Sequence, residues 1–428
     1  MITPPAPAVA TAAPCPECAS GLTEDTRFVQ WCQACGWNAN PGAKTATGRG
    51  DRFQRKLNRA AEERLHRRIT ETGAQRSGLD TATVGAYVFS ALVHLVTLTV
   101  AVGGVLALLE PYWPLRIVGA VLVLLAFHLR PRFGPSRKAM KRRQLLAADD
   151  APALRGLAAR VAAELGTRPP DLIAVDAGFN ATYTRVGMRR RVLLTLGLPL
   201  WETLGPEQRL ALLGHELGHG VNGDARRGGW IGSALRSLEE WYRLLRPGRI
   251  MVRGGRGGNP GGGIAILGEM VARWAMVVFA ELVLLAYRLL TRLTRLSGRR
   301  AEYLADGFGV RVAGVDATAG MLRALTLGGI VARFGERRRL RGASAGDYWS
   351  ELHAYVVSVP ESERARLLLL SRLDDSAVDT THPPTHLRLA FVEQLPRTAP
   401  TVLLTAGESA AIDAELAPAR AAVAQRLS

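Results

Sequence analysis

A stretch between Thr83 and Leu109 of this 428-residue chain contains no charged side chain and is rich in Val, Leu and Ala. It is longer than the roughly 20 apolar residues that a helix needs to cross a bilayer. A turn at 110–114 leads to a second, shorter apolar stretch that ends at Leu129. We therefore predict a transmembrane helical hairpin over residues 83–130, with the lipid bilayer as a partner. A buried helix of a soluble protein is the alternative.

Basic side chains flank this hairpin on both sides, whereas its turn is nearly free of them. Residues 38–82 are rich in arginine, and seven Lys or Arg residues lie between Arg130 and Arg143. The positive-inside rule places both flanks in the cytosol. We expect a multi-pass protein of the cell membrane whose N-terminus and post-hairpin region are cytosolic. The formal net charge of +18 favours anionic partners such as lipid head groups.

Composition divides the rest of the chain into segments. Residues 1–14 are rich in Pro and Ala, lack the features of a signal peptide, and are predicted to be a disordered N-terminus. The basic residues 38–82 form either an exposed helix or a solvated linker. We predict one domain at 145–395 with an insert at 224–298, followed by a C-terminal tail at 396–428.

The domain that follows the hairpin has the pattern of an α+β fold that is mostly helical with a small sheet. Turn residues separate its β-type stretches. The predicted elements are a helix at Pro152–Leu165 and strands at Leu172–Val175, Ala181–Thr184 and Arg191–Leu196. Gly205-Pro206-Glu207 opens a further helix, because Pro suits the first helical position and an acid suits the first turn.

The insert contains a long apolar segment, Ile264–Leu290, that is interrupted by Glu269, Arg273 and Glu281. Charged side chains inside a bilayer are costly. We therefore predict a helix that packs on protein or lies partly in the membrane surface, rather than a third span. The Arg-Gly segment at 253–258 is predicted to be a hinge rather than an RNA contact, so nucleic acid is not an expected partner.

The strongest chemical signal is His215-Glu216-Leu217-Gly218-His219. Residues four apart share one face of a helix, so both imidazoles point to one place and can bind zinc. Glu216 lies one position further round, beside a water molecule that zinc would activate, where a carboxylate can act as a general base. A chance occurrence on a surface helix is the alternative.

The third ligand has to come from elsewhere, because Asn222 and Ala225 occupy the positions at which a metzincin has Gly and a further His. Glu302 and Asp306 lie four residues apart and share a helical face. Glu302 can complete a site of two His and one carboxylate. Asp306 can accept a hydrogen bond from a ligand imidazole and fix its orientation. Alternatively, these acids merely balance nearby arginines.

Together these motifs resemble those of the HtpX-like and CAAX-prenyl-protease-like integral-membrane zinc peptidases of the gluzincin group. The resemblance covers roughly residues 145–395 and rests on Leu213–His219, Asn222–Asp224 and Arg300–Asp306. It implies a zincin-like metallopeptidase domain, zinc endopeptidase activity and a protein or peptide substrate.

Two shorter motifs extend the resemblance. Asn180-Ala181 resembles the motif of the substrate-binding edge strand, which implies pairing with the backbone of an extended peptide. The motif at 381–384, with Arg388 after it, resembles the late motif of the family. This implies that His382 and Arg388 stabilise the oxyanion of the tetrahedral intermediate. The charged insert departs from family members with clear spans there, so the number of spans stays open.

All four cysteines lie near the N-terminus in two C-x-x-C pairs: Cys15, Cys18, Cys32 and Cys35. The spacing matches a zinc ribbon over residues 15–37, in which four thiolates fill the coordination shell and make the zinc structural. Two unconnected thiol pairs or a redox motif are the alternative. The residues do not identify the partner of the ribbon: docking, regulation and nucleic-acid contact stay open.

These observations predict a membrane-anchored zinc-dependent endopeptidase with one catalytic and one structural Zn²⁺. It would act on unfolded or membrane-associated proteins at the cytosolic face. A catalytically inactive, membrane-tethered scaffold that uses the ribbon and the basic segments is the alternative. The presence of every expected catalytic group favours the enzyme.

Overall fold

A computed structural model of the chain describes residues 13–23, 25–41, 49–73, 81–131, 140–147, 149–187, 189–245, 262–373 and 382–428. Residues 1–12 of the segment predicted to be disordered, the Arg-Gly segment at 253–258 and residue 381 of the late motif lie outside the described residues.

Most of the described chain is helical. The helices, in chain order, are α1 (Arg49–Thr72), α2 (Thr81–Leu109), α3 (Trp113–Leu129), α4 (Pro152–Leu165), α5 (Leu198–Thr203), α6 (Pro206–Val221), α7 (Asp224–Leu245), α8 (Gly262–Ala313), α9 (Val315–Leu325), α10 (Gly328–Leu340), α11 (Tyr348–Val357), α12 (Glu361–Leu373), α13 (Thr385–Gln394), α14 (Ala406–Glu415) and α15 (Ala417–Leu427). The predicted helix at Pro152–Leu165 is confirmed, and it ends where Gly166 takes a positive φ of 64°.

A small sheet of four strands lies beside these helices. Its strands are β1 (Gln144–Leu146), β2 (Leu172–Asp176), β3 (Ala181–Val186) and β4 (Arg191–Gly197), in the spatial order β1-β2-β4-β3. β2 and β4 are parallel, and the other two pairs are antiparallel. The mostly helical α+β fold with its small sheet is therefore confirmed. β1 was not predicted, because three residues are too few to show a period.

The main core joins the sheet to the helices on one side. β4 is buried from Val192 onwards, as its nearly continuous apolar sequence requires of a central strand. Leu157 and Val161 of α4 belong to the same buried cluster as Leu194 of β4 and Leu213 of α6. This packing holds α6, which carries the His motif, directly against the sheet region.

Two helices, α2 and α8, are long and apolar enough to cross a membrane. α3 is apolar but has only 17 residues. It packs closely on α2, since a Cβ added to Gly119 would lie 2.7 Å from the Gly104 carbonyl oxygen. Ala86 of α2, Ala234 of α7 and Leu290 of α8 form a second buried cluster. The predicted hairpin is therefore part of a larger helical bundle.

The part of α8 that corresponds to Ile264–Leu290 packs on protein in its last turns, where Ala286 and Leu290 join the buried cluster with α2 and α7, and its predicted position at the membrane surface stays a prediction. Only 11% of its most apolar window is buried, and side chains such as Trp274 and Leu285 are exposed by more than 60%. Two of its charged residues precede the apolar part, where only Glu281 and Arg288 interrupt it. The segment can therefore cross a membrane.

The basic segment 38–82 contains a helix, α1, rather than only a solvated linker. Ile69 is 1% exposed and belongs to the main core. Glu62 forms an ion pair with Arg299 of α8, and both side chains are largely buried. The contacts of α1 with α8 and α13 make this helix part of the domain that carries the His motif.

We predict that Ile69→Ala destabilises the domain by about 2–5 kcal/mol, because it leaves a cavity in the main core. Thermal unfolding of the detergent-solubilised protein measures this effect. Glu71→Ala on the exposed face of the same helix is the matched control and should change stability by about 0.5 kcal/mol or less. Equal stability of the two variants would show that α1 does not contribute to the core.

Candidate metal centres

The His motif lies on a well-defined helix. α6 begins with Pro206 in its first turn, and the Gly205 backbone N–H donates to the Gln208 side chain at 3.1 Å. One turn separates His215 from His219, and their rings are perpendicular with centroids 4.9 Å apart. Both imidazoles therefore face the same region of the fold, as the spacing predicted.

Glycines let α6 and α8 approach each other almost backbone to backbone. A Cβ added to Gly214 would lie 3.1 Å from Cα of Gly309, and one added to Gly218 would lie 2.9 Å from Cδ2 of Phe308. No larger residue fits at this crossing without a shift of α8. Sequence reasoning missed this role, although two glycines four residues apart inside the motif were a visible signal.

The crossing brings Glu302 of α8 against the two imidazoles. Glu302 Oε2 lies 3.6 Å from His215 Nε2, and Glu302 Oε1 lies 3.5 Å from His219 Nε2. One donor atom from each residue lies within 4.8 Å of the others. Bonds of 2.0–2.1 Å in a tetrahedral zinc site would separate donors by about 3.3 Å, so these residues fit a zinc ion.

A buried ion pair lies behind His215. Asp306 is fully buried, and its Oδ1 accepts a hydrogen bond from His215 Nδ1 at 3.0 Å. Arg388 donates to both oxygens of the same carboxylate, at 2.6 and 2.8 Å. Since Nδ1 carries the proton, Nε2 of His215 keeps its lone pair for a metal. The supporting role predicted for Asp306 matches this geometry.

The carboxylates of Glu302 and Asp306 are held in their charged form. Burial raises the pKa of Asp306, but the charge and hydrogen bonds of Arg388 outweigh it and bring the pKa below its usual value. Burial likewise raises the pKa of Glu302, but a hydrogen bond from His382 and the charge of Arg388 outweigh burial and bring this pKa below its usual value. An ionised Glu302 is the form that can bind a cation.

The predicted role of Arg388 as an oxyanion donor stays a prediction. In the structure its side chain is 4% exposed, and Asp306 accepts its hydrogen bonds on the Nδ1 side of His215. Its Nη1 also lies 3.5 Å from Glu302 Oε2. His382 differs, because its side chain is 41% exposed and its Nδ1 lies 2.6 Å from Glu302 Oε2.

The structure also gives the positions of Glu216, Asn180 and Ala181, whose roles stay predictions. Glu216 is 7% exposed on α6, between the two His ligands, and is not part of the donor cluster. Asn180 directly precedes β3, which is one of the two edge strands of the described sheet, and its carbonyl accepts a hydrogen bond from the Gly197 N–H at 2.8 Å. Ala181 is the first residue of β3.

The four cysteines converge at a second centre. Sγ of Cys15 lies 3.7 Å from Sγ of Cys35, and Sγ of Cys18 lies 3.5 Å from Sγ of Cys32. All four sulfurs lie within 4.8 Å of one another, and none forms a disulfide. Zn–S bonds of 2.3 Å in a tetrahedron separate sulfurs by about 3.8 Å, so this cluster fits a four-thiolate zinc site.

We predict that Asp306→Asn lowers the zinc affinity of the His–Glu centre by roughly 10–100-fold, because it weakens the hydrogen bond that orients His215 and leaves Arg388 without its carboxylate. Competition with a chelator measures this affinity, and the zinc of the cysteine cluster provides an internal reference.

Asp316→Asn is the control for that experiment, since Asp316 is an exposed carboxylate paired with an exposed arginine. It should leave both zinc affinities unchanged. If Asp306→Asn binds zinc as tightly as the parent protein, Asp306 does not orient the ligand.

The comparisons with known proteins agree with this geometry. The family model described as Peptidase family M48 matches residues 149–395, more than half of the chain. This family covers the HtpX-like and CAAX-prenyl-protease-like membrane zinc metallopeptidases, so the resemblance noted in the sequence is confirmed. No curated protein and no solved structure matches the chain significantly.

Proposed function

Because this chain belongs to peptidase family M48, we propose that it is a membrane-anchored zinc endopeptidase. It hydrolyses peptide bonds of unfolded or membrane-associated proteins at the cytosolic face. The observation that carries this proposal is the convergence of His215, His219 and Glu302, from two helices, on one place that fits a zinc ion.

The residues of α6 and α8 divide the chemistry between them. His215, His219 and Glu302 would hold the zinc ion, which when bound would supply a Lewis acid for the peptide carbonyl and for a water molecule. Glu216 takes a proton from the attacking water molecule as the oxygen of that water bonds to the carbonyl carbon. It returns that proton to the leaving amine when the C–N bond breaks.

β3 supports binding of an extended peptide. It is one of the two edge strands of the described sheet, and Asn180, directly before it, is exposed. An edge strand offers backbone N–H and C=O groups that pair with a substrate strand whatever its side chains. The proposal therefore includes a modest sequence preference, in keeping with unfolded substrates.

The cytosolic orientation rests on charge. α1 before the hairpin and the residues from Arg130 to Arg143 after it are basic, whereas the turn between α2 and α3 has few charges. Positive charges near membrane helices favour the cytosolic side. The domain with the His–Glu centre follows directly from that side.

The Glu216→Gln variant tests the mechanism. It should reduce cleavage of a mixed peptide library by roughly 10²–10⁴-fold, because the amide cannot take the proton of water. Both zinc ions should stay bound, as metal analysis will show.

Glu207→Gln is the matched control: it makes the same change in the same helix, at an exposed position of the first turn. It should cleave like the parent protein. If Glu216→Gln cleaves as fast as Glu207→Gln, the proposed function is wrong.

We expect His382 to donate a hydrogen bond to the oxyanion, since it is the partly exposed imidazole beside Glu302. His382→Asn should lower kcat by roughly 10²–10³-fold while zinc content stays the same. His353→Asn, at an exposed position of α11, is the control and should retain the parent kcat. An unchanged kcat for His382→Asn would remove His382 from the catalytic residues.

A further inference from the structure

The cysteine ribbon and the residues that adjoin it, described at 13–23 and 25–41 and together called the ribbon below, are docked on the C-terminal part of α11 and on α12. The Arg27 guanidinium donates to the Ser358 carbonyl at 2.9 Å and contacts the Ser358 hydroxyl at 3.0 Å. The Phe28 ring stacks on the Tyr355 ring, with centroids 6.5 Å apart and planes 29° from parallel. One loop of the ribbon thus attaches to the end of α11.

A buried charge forms the centre of this contact. Arg366 of α12 is 6% exposed and pairs with Glu363, which is 2% exposed, at 2.6 and 2.7 Å. Its remaining nitrogen, Nη1, donates to the carbonyl oxygen of Ala39 in the ribbon at 2.8 Å. A buried charge is stable only when its hydrogen bonds are satisfied, so the ribbon backbone completes the surroundings of an internal ion pair.

The shape of the ribbon depends on its metal. Its buried side chains include Cys15, Trp31 and Cys32, which are too few to form an independent core. Small four-thiolate modules fold when they bind zinc. Ala39 and Phe28 therefore reach their partners on α12 and α11 only when the cysteine cluster holds its ion.

One of the helices that the ribbon contacts, α12, lies beside α13, the helix that carries Arg388. α12 packs on α13, and Ser371 Oγ of α12 lies 3.4 Å from His386 Nδ1 of α13. α13 also carries Arg388, whose ion pair with Asp306 orients His215. A shift of α12 would thus be transmitted to the helix that holds this pair.

We propose that the ribbon is an intramolecular stabilising module, which uses its structural zinc to hold α12, and through α12 the helix α13, against the peptidase domain. The face of the ribbon around Ala39 is buried against α12, so it is not available to another macromolecule. The proposal concerns the ribbon alone and holds whether or not the His–Glu centre cleaves peptides.

Hydrogen–deuterium exchange of the full-length, zinc-loaded protein tests the proposal. Cys18→Ser should release one of two zinc ions and make the amides of α12 exchange roughly tenfold faster, with a smaller increase in α13. The double variant Arg27→Ala, Phe28→Ala should keep both zinc ions. It removes the contacts with Ser358 and Tyr355 at the end of α11, so exchange should accelerate there and, because the ribbon is then held less firmly, in α12 as well. Amides of β4, in the main core, should be unchanged in both.

Arg397→Ala provides the matched control, because it removes an exposed arginine and its ion pair on a different surface. Its α12 amides should exchange at the parent rate. If Cys18→Ser loses its zinc and the double variant loses its contacts, but α12 exchanges at the parent rate in both, the ribbon does not stabilise the domain. Because the measurement does not involve cleavage, this failure is distinct from failure of the proposed peptidase function.

Discussion

The close contact between α6 and α8 is the constraint on which the rest of the catalytic region depends. Gly214 and Gly218 remove the side chains that would separate the two helices. At this short distance, Glu302 reaches both imidazoles with one carboxylate, which a wider helix spacing would prevent. A Cβ at either glycine would lie 2.9–3.1 Å from Phe308 or Gly309, so α8 or the Phe308 side chain would have to shift.

A buried network of charges then fixes the orientation of the ligands. Asp306 and Arg388 are both almost inaccessible to water, and desolvation of two such charges is favourable only with good hydrogen-bond geometry. The two hydrogen bonds between Arg388 and Asp306 meet this condition, and the carboxylate also accepts a hydrogen bond from His215 Nδ1. The network links α6, α8 and α13, so the catalytic centre depends on packing between elements that are far apart in the sequence.

α8 connects the apolar helices that are long enough to cross a membrane to the candidate metal centre. α8 has 52 residues, so at 1.5 Å per residue it extends about 78 Å. Its apolar part, up to Leu290, packs beside α2 and α7, and its last turns carry Glu302 and Asp306. The packing of this apolar part therefore also limits where the third ligand can lie. The ribbon contacts the domain at α11 and α12.

The amino-acid sequence by itself determined the features that depend on spacing within one element. The helical period places the two His of α6 on one face, and likewise the two acids of α8. The spacing of the cysteines indicates a zinc ribbon, and the length of the apolar stretch indicates that α2 can cross a bilayer. Only the tertiary structure decided the ion pair of Arg388 with Asp306, the packing of Ile69, the exposure of the apolar part of α8 and the docking of the ribbon. The physical reason is that a local period specifies which side chains share a face, whereas the partner of that face is chosen by packing between distant segments.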